Sequence, residues 1–343
     1  MRAGITLLVL TSSLFLARPA AAWNGVGHMA VAKVAYDGLS DAGRKRAQEI
    51  LSRHPHYEAY LTKNRPANVD VGEWVFLRAS TWPDWVRGPL KPEKPDPAVV
   101  RFHRPGDHYT NRPVFAKDAT PEFAAKVRAK PDRSDVLCAL KQRAAEFGLP
   151  TAAPEDRAVA LCWLLHLVGD VHQPLHCAGL YAEPLFPPPG GDLGGNAVGV
   201  RVRGEKVRLH TYWDGLLGTT ADLTAEVRDT PQYTEEAYKV ATLAAERIRK
   251  ANPRESLAEL TKPTEFRDWV AEGFEIAEKV AYWDGAIMQR AVLVPPGYPP
   301  AIPDTAKEVP DGYAGKAAAV ADRRAAVAGY RLADLLGHIL PGE

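Results

Sequence analysis

The sequence predicts an all-α protein, a single mainly helical domain, and three observations carry that expectation. Apolar and small residues recur at three- and four-residue intervals through most of the chain. Strict alternation, the mark of a half-buried strand, is convincing only over 198–207, which reads as at most one short hairpin around Gly204. Neither an internal repeat nor a low-complexity linker divides the chain, so residues 23–343 are expected to form one domain.

Residues 1–22 read as an address. Arg2 supplies a positive start, 5–16 form an apolar run, Arg18-Pro19 breaks it, and Ala20 to Ala22 are small enough for signal peptidase. The run is too short to span a bilayer comfortably. The expectation is cleavage after Ala22, Trp23 as the new N-terminus, and a soluble secreted or periplasmic product with no membrane attachment.

The helices follow in order. Residues 28–39 form the first, and Ser40-Asp41 cap a second running to Arg53. Ser134 is the expected N-cap of a helix through Phe147, and Pro154 opens another from Glu155 to Asp170. Thr220 or Asp222 begins a long amphipathic segment to Arg249, and 266–291 and 314–339 complete the set. Pro/Gly-rich loops lie at 88–105, 184–195 and 294–303, and loops of that length are expected to carry function or cover a site.

Charge is balanced, with 43 Lys and Arg against 42 Asp and Glu. That argues against a broad basic patch as the main route to nucleic acid, so an anionic substrate is expected to be held locally. Three cysteines (Cys138, Cys162, Cys177) cannot build a disulfide framework: at most one pair forms, and one or more buried reduced cysteines are expected. No obligate protein partner is evident.

The chemistry concentrates in ten histidines. The densest stretch runs His166-Leu-Val-Gly-Asp170-Val-His172-Gln-Pro-Leu-His176. His166 and Asp170 stand one helical turn apart and share a face, while Pro174 ends the helix and redirects His176. His210 and Asp214 repeat the spacing. Asp84 and His108 lie upstream, and His28 follows the expected N-terminus by five residues. One such pair is weak, being more often a surface ion pair. Two pairs, a His-rich turn and a terminal histidine favour an open zinc site built on nitrogen and oxygen ligands. His172 points away from its neighbours on the helix and is expected in the core or behind the ligands. His103 is a weaker rival to His108, and His54, His56 and His338 read as surface or helix-end residues.

At this point the chain resembles a family, the zinc-dependent single-strand nucleases and 3′-nucleotidases, which share a fold with bacterial zinc phospholipase C. The matching segments are Trp23-Asn-Gly-Val-Gly-His28, Trp82-Pro-Asp84 with Arg87, His108-Tyr109 and His166 to His176. Gly190 to Asn196, Leu209-His210-x-x-Trp-Asp214 and Ala328 to Ala333 continue the match. The resemblance implies three zinc ions. Asp84, His108, His166 and Asp170 would hold one. The free amine and carbonyl of Trp23, with His28 and the far side of Asp170, would hold a second. His176, His210 and Asp214 would hold the third. Water between two such ions loses a proton near neutral pH and attacks the phosphate as a zinc-bound hydroxide, and no side-chain nucleophile is required.

The substrates so implied are single-stranded DNA and RNA, cut to 5′-phosphate products, and 3′-nucleotides. Arg87 is expected to meet the phosphate as a fork donor. Tyr109 either stacks on a base or packs under the metal site. Asn196 is expected to approach a base edge. Two departures stand out: Asp107 replaces an aromatic residue, and Asn111 replaces an aspartate near the attacking water. An amide orients water but cannot accept its proton. The alternatives are a zinc phospholipase C, disfavoured by Asp214 where those enzymes resemble this pattern with a glutamate, and a secreted zinc-binding protein without catalysis.

Overall fold

The computed structural model of the chain describes residues 23–86, 97–129, 135–219, 234–262, 264–294 and 301–340. The expected signal peptide, Arg87, Ser134, Thr220 and Asp222 lie outside the described residues.

Side-chain caps set the early helices. Asn24 accepts from Gly27 N to open α1 (Gly25–Gly38), and Ser40 accepts from Gly43 N to open α2 (Asp41–Leu51). Asp70 caps α3 (Val71–Ala79), which runs almost directly into the short α4 (Trp82–Trp85). After α5 (Pro97–Val100) come a 3-10 turn at Pro105–His108 and strand β1 (Arg112–Phe115). Thr120 caps α6 (Pro121–Arg128), and Asp135 caps α7 (Val136–Gly148), one residue past the expected Ser134. α8 (Pro154–Asp170) begins on Pro154 as expected, since proline at the first turn forfeits no hydrogen bond.

A 3-10 turn at Pro174–His176 leads into β2 (Ala178–Tyr181). The expected hairpin forms as β3 (Val198–Val202) and β4 (Glu205–Arg208), turned by Gly204 at φ 84°. α9 (Leu209–Asp214) follows directly. α10 (Glu235–Ala251), α11 (Phe266–Ile276), β5 (Val292–Leu293) and α12 (Tyr313–Ile339) complete the chain.

Three readings need correction. The single helix over 266–291 ends at Ile276, passes through a π turn at Ala277–Ala281, and breaks where Trp283, Asp284 and Gly285 all take positive φ. The apolar spacing persisted because Tyr282 and Ile287, on either side of the break, are both buried. α3 was missed because Gly72 and Trp74 to Ala79 are all buried, leaving the helix almost no polar face to generate a period. His54 and His56 are core residues, 3% and 7% exposed, wedged edge-on among Trp82, Trp85 and Phe102. The expectation of buried reduced cysteines holds for Cys162 and Cys177, while Cys138 is an exposed free thiol.

Beyond the hairpin, β5 pairs antiparallel with β3, and β1 pairs parallel with β2 in the register Arg112↔Ala178. The second pairing matters for the site. It brings the residues before each strand, His108 and His176, alongside one another, with Thr110 N donating to His176 O at 2.8 Å. The main core gathers apolar side chains of α1, α2, α3, α7 and α8 around Trp74, Trp82 and Trp163. α1 also packs on α10 and α12. A second core lies under the β3–β4–β5 sheet and α9. The C-terminal end of α8 reaches the boundary between the two cores. Among the described residues no helix is long and apolar enough to cross a membrane.

Candidate metal centre

α8 delivers His166 and Asp170 on one face, fully buried, and the other groups converge on that end of the helix. Asp170 Oδ2 lies 3.2 Å from His166 Nε2 and 3.0 Å from His108 Nδ1. Asp84 Oδ1 approaches the same two nitrogens at 3.8 and 4.0 Å. The other oxygen, Asp170 Oδ1, faces His28 Nε2 at 3.3 Å. One carboxylate therefore turns its two oxygens to two separate imidazole groups. Gly169 makes room for this: a Cβ there would fall 2.8 Å from His28 Nδ1.

The third group is His176, His210 and Asp214. His176 Nε2 and His210 Nε2 stand 3.2 Å apart, and Asp214 Oδ2 is 3.4 Å from the latter. In each of the sets His28–His166–Asp170, Asp84–His108–His166 and His176–His210–Asp214 the candidate ligand atoms all lie within 4.8 Å of one another.

Backbone carbonyls fix the rings. Ser80 O, His108 O and Gly194 O accept from Nδ1 of His166, His176 and His210 at 2.8, 2.7 and 2.6 Å. A carbonyl only accepts, so each Nδ1 carries a proton and Nε2 is the atom turned toward the other ligand candidates. This is the arrangement by which proteins orient imidazole ligands. It also turns Nε2 of His176 and Nε2 of His210 toward each other, a place where a cation would meet both rings.

Electrostatics point the same way. Burial, then the neighbouring His166, lowers the pKa of His28, so its ring stays neutral. Burial works against an ionised Asp170, but the adjacent His166, with His108 and His28 against its two oxygens, outweighs it and holds the carboxyl well below its ordinary range. Burial likewise opposes a charged His166, yet Asp170 and Asp84 prevail and raise its pKa. Neither ring nitrogen of His28 nor Asp170 Oδ1 makes a hydrogen bond, though all are buried. Orphaned donors and acceptors in an acidic pocket fit a metal, because a dication satisfies lone pairs that no proton reaches. The donor set, imidazole and carboxylate without thiolate, suits zinc.

Around this core the other expected residues take their places. Trp23 is fully buried beside Gly27 and Gly169, and Asn24 N donates to Asp214 O at 3.1 Å. Trp23 and Asn24 are thereby tied to α9, beside the helix that carries His28. Tyr109 is half-buried and meets His176 edge-on at 6.4 Å. Asn111 is buried at the start of β1, close to Gly179. Asn196 Nδ2 donates to Leu193 O at 2.8 Å within its own loop. His172 lies in the core, with Nδ1 donating to Val168 O and Nε2 facing Arg331 Nη1 at 3.0 Å. His103 falls outside the three groups.

Sequence reasoning passed over Asp192, which holds the Gly190–Asn196 loop in shape. Its Oδ1 accepts from Leu180 N at 2.8 Å and from Tyr282 OH at 3.2 Å, and burial pushes its pKa up to about 7. That loop supplies the carbonyl of Gly194 to His210. Gly194 has φ +61° and stands so close to Leu175 O that a Cβ would lie 2.7 Å away. An acidic residue between glycine pairs in a long loop was the available signal.

The S1/P1 nuclease family model matches residues 23–341, nearly the whole chain, and covers every group above. The chain belongs to the S1/P1 nuclease family. It is 24% identical to Endonuclease 2 of Arabidopsis thaliana over 229 residues, 64% of each chain. It is 26% identical to Nuclease S1 of Aspergillus oryzae over 210 residues, 61% of this chain and 58% of that one. Both matches thus span less than two thirds of the relative's length. Endonuclease 4 of Arabidopsis thaliana is 41% identical over a shorter stretch of 58 residues.

Proposed function

We propose that the chain is a secreted, zinc-dependent endonuclease that hydrolyses single-stranded DNA and RNA to 5′-phosphate products and removes phosphate from 3′-nucleotides. The observation that supports it most is the convergence of three histidine–aspartate groups on one end of α8, in a chain of a nuclease family.

Three zinc ions are proposed. One would be held by Asp84, His108, His166 and Asp170, a second by Trp23, His28 and Asp170, and the third by His176, His210 and Asp214. Zinc bound there would supply charge stabilisation for the phosphate and a water acidic enough to attack near neutral pH. The chain's own residues do the rest. Carbonyl-anchored imidazoles hold their lone pairs in fixed directions, and Asp170 keeps two groups in register. Asn111 would orient the attacking water through its amide, while Arg87 would bind a phosphate oxygen. Tyr109, half-exposed against His176, would offer a face on which any base can stack. Asn196 would contribute a weaker contact to a base edge. Single-strand preference follows, because a paired base has no free face to offer.

Residues 1–22 would direct export and be removed after Ala22, which frees the Trp23 amine. An α-amine titrates near pH 7.7–8.0, so its free base is accessible at neutral pH.

The test incubates processed protein with single-stranded DNA, RNA, 3′-AMP and phosphatidylcholine, with and without a chelator. Chelator-sensitive turnover of the first three and none of the lipid is expected. Lipid turnover alone would replace the proposal with a phospholipase.

A further inference from the structure

Gln173 is fully buried between the two parts of the site and belongs to none of the candidate metal groups. Its Oε1 accepts from Leu175 N at 2.6 Å, which fixes which end of the amide is oxygen. The other end, Nε2, then donates to Asp214 Oδ1 at 2.8 Å, across 41 residues of sequence. Its backbone is tied as firmly, with Gln173 N donating to Asp170 O at 2.9 Å and His176 N donating to Gln173 O at 3.0 Å.

We infer that Gln173 is a positioning residue that sets how Asp214 meets a metal. With Oδ1 occupied by an amide N–H, Oδ2 is the oxygen turned toward His210 Nε2, 3.4 Å away. A carboxylate with both oxygens available can rotate and chelate through both. One pinned by an amide is restricted to a single oxygen in a fixed direction. The same residue carries the backbone between Asp170 and His176, so the two parts of the site share one rigid link. A neutral amide does this without adding charge to a pocket already holding Asp84, Asp170 and Asp214. The inference rests on the zinc reading proposed above.

Two variants test it. Gln173→Met keeps the length and approximate volume but removes both hydrogen bonds. Gln173→Glu keeps the acceptor for Leu175 N and turns the other atom into an acceptor facing Asp214. Zinc equivalents are measured against a graded chelator, with His176→Ala as the reference for loss of the third group. Circular dichroism and thermal unfolding in excess zinc verify the fold.

Both variants are expected to keep two zinc ions at wild-type affinity and to bind the third about 10- to 100-fold more weakly, the usual cost of losing an outer-shell partner. Gln173→Glu is expected to be the weaker of the two at neutral pH, because two carboxylates then face each other. Wild-type affinity for all three ions in Gln173→Met, or equal weakening of all three, would overturn the inference. If Gln173→Met fails to fold, Gln173→Glu carries the test under the same criteria. A wild-type protein without zinc would overturn the metal reading itself, a result distinct from either variant outcome.

Discussion

His176 Nε2 and His210 Nε2 face each other at 3.2 Å, while each ring commits its Nδ1 proton to a backbone carbonyl. Two imidazoles so fixed turn the same nitrogen toward one point, where a cation would join them. Replacing either ring should therefore cost a metal and leave the other groups filled. His210→Ala is expected to lose one zinc ion and at least 100-fold in hydrolysis, more than the roughly 10- to 100-fold typical of outer-shell changes. Mass spectrometry under native conditions reads the first effect and single-strand cleavage the second.

The proposed N-terminus at Trp23 makes a separate prediction. Trp23 is buried next to the helix that carries His28, and Asn24 is bonded to Asp214 O. A variant carrying extra residues ahead of Trp23 cannot offer a free α-amine there. It is expected to hold one zinc ion fewer and to lose most of its activity. Three ions and full turnover in the extended variant would refute the role given to Trp23.

Asn111 predicts a gain. Its amide cannot take a proton from water, whereas general-base groups contribute roughly 10²–10⁴-fold. Asn111→Asp is expected to raise turnover at neutral pH, by about 10²-fold at most, and to add a carboxylate ionisation to the acid limb of the rate profile. An unchanged rate and profile would remove Asn111 from the reaction.

His54 governs acid stability. Burial first, then His56 beside it, lowers its pKa to about 3. An ordinary unfolded histidine titrates near 6.5, so between those values only the unfolded chain takes up the proton. The contribution is fully present above pH 6.5 and is lost as pH falls, by about 2 kcal/mol at pH 5. His54→Asn keeps an acceptor for His56 N–H and removes the titration. Urea unfolding at pH 7.5 and 5 should show a smaller acid loss in the variant, and an equal loss would count against this account.

Much of the site was legible because metal ligation demands particular atoms at helical spacing. His166 with Asp170, and His210 with Asp214, announce themselves one turn apart on α8 and α9. The resemblance linked them to Trp23, His28, Asp84 and His108, which no local pattern could have joined. What escaped was whatever depends on distant backbone. Gln173 sits inside the densest motif, yet its role appears only when Asp214, 41 residues on, folds against it. Asp192 needed Leu180 and Tyr282 in place to read as an anchor. His54 and His56 looked solvated because their sequence neighbours are polar, although the walls of their pocket are Trp82, Trp85 and Phe102. The break after Ile276 escaped for the complementary reason, since burial on both sides of a kink leaves the apolar period intact.

The most direct measurement counts zinc in protein that begins at Trp23 and follows single-stranded DNA cleavage through chelation and readdition of metal. Three ions per chain, loss of cleavage on chelation and recovery with zinc are predicted. Processed protein that contains no zinc, or that cuts single strands equally well in chelator, would contradict the account.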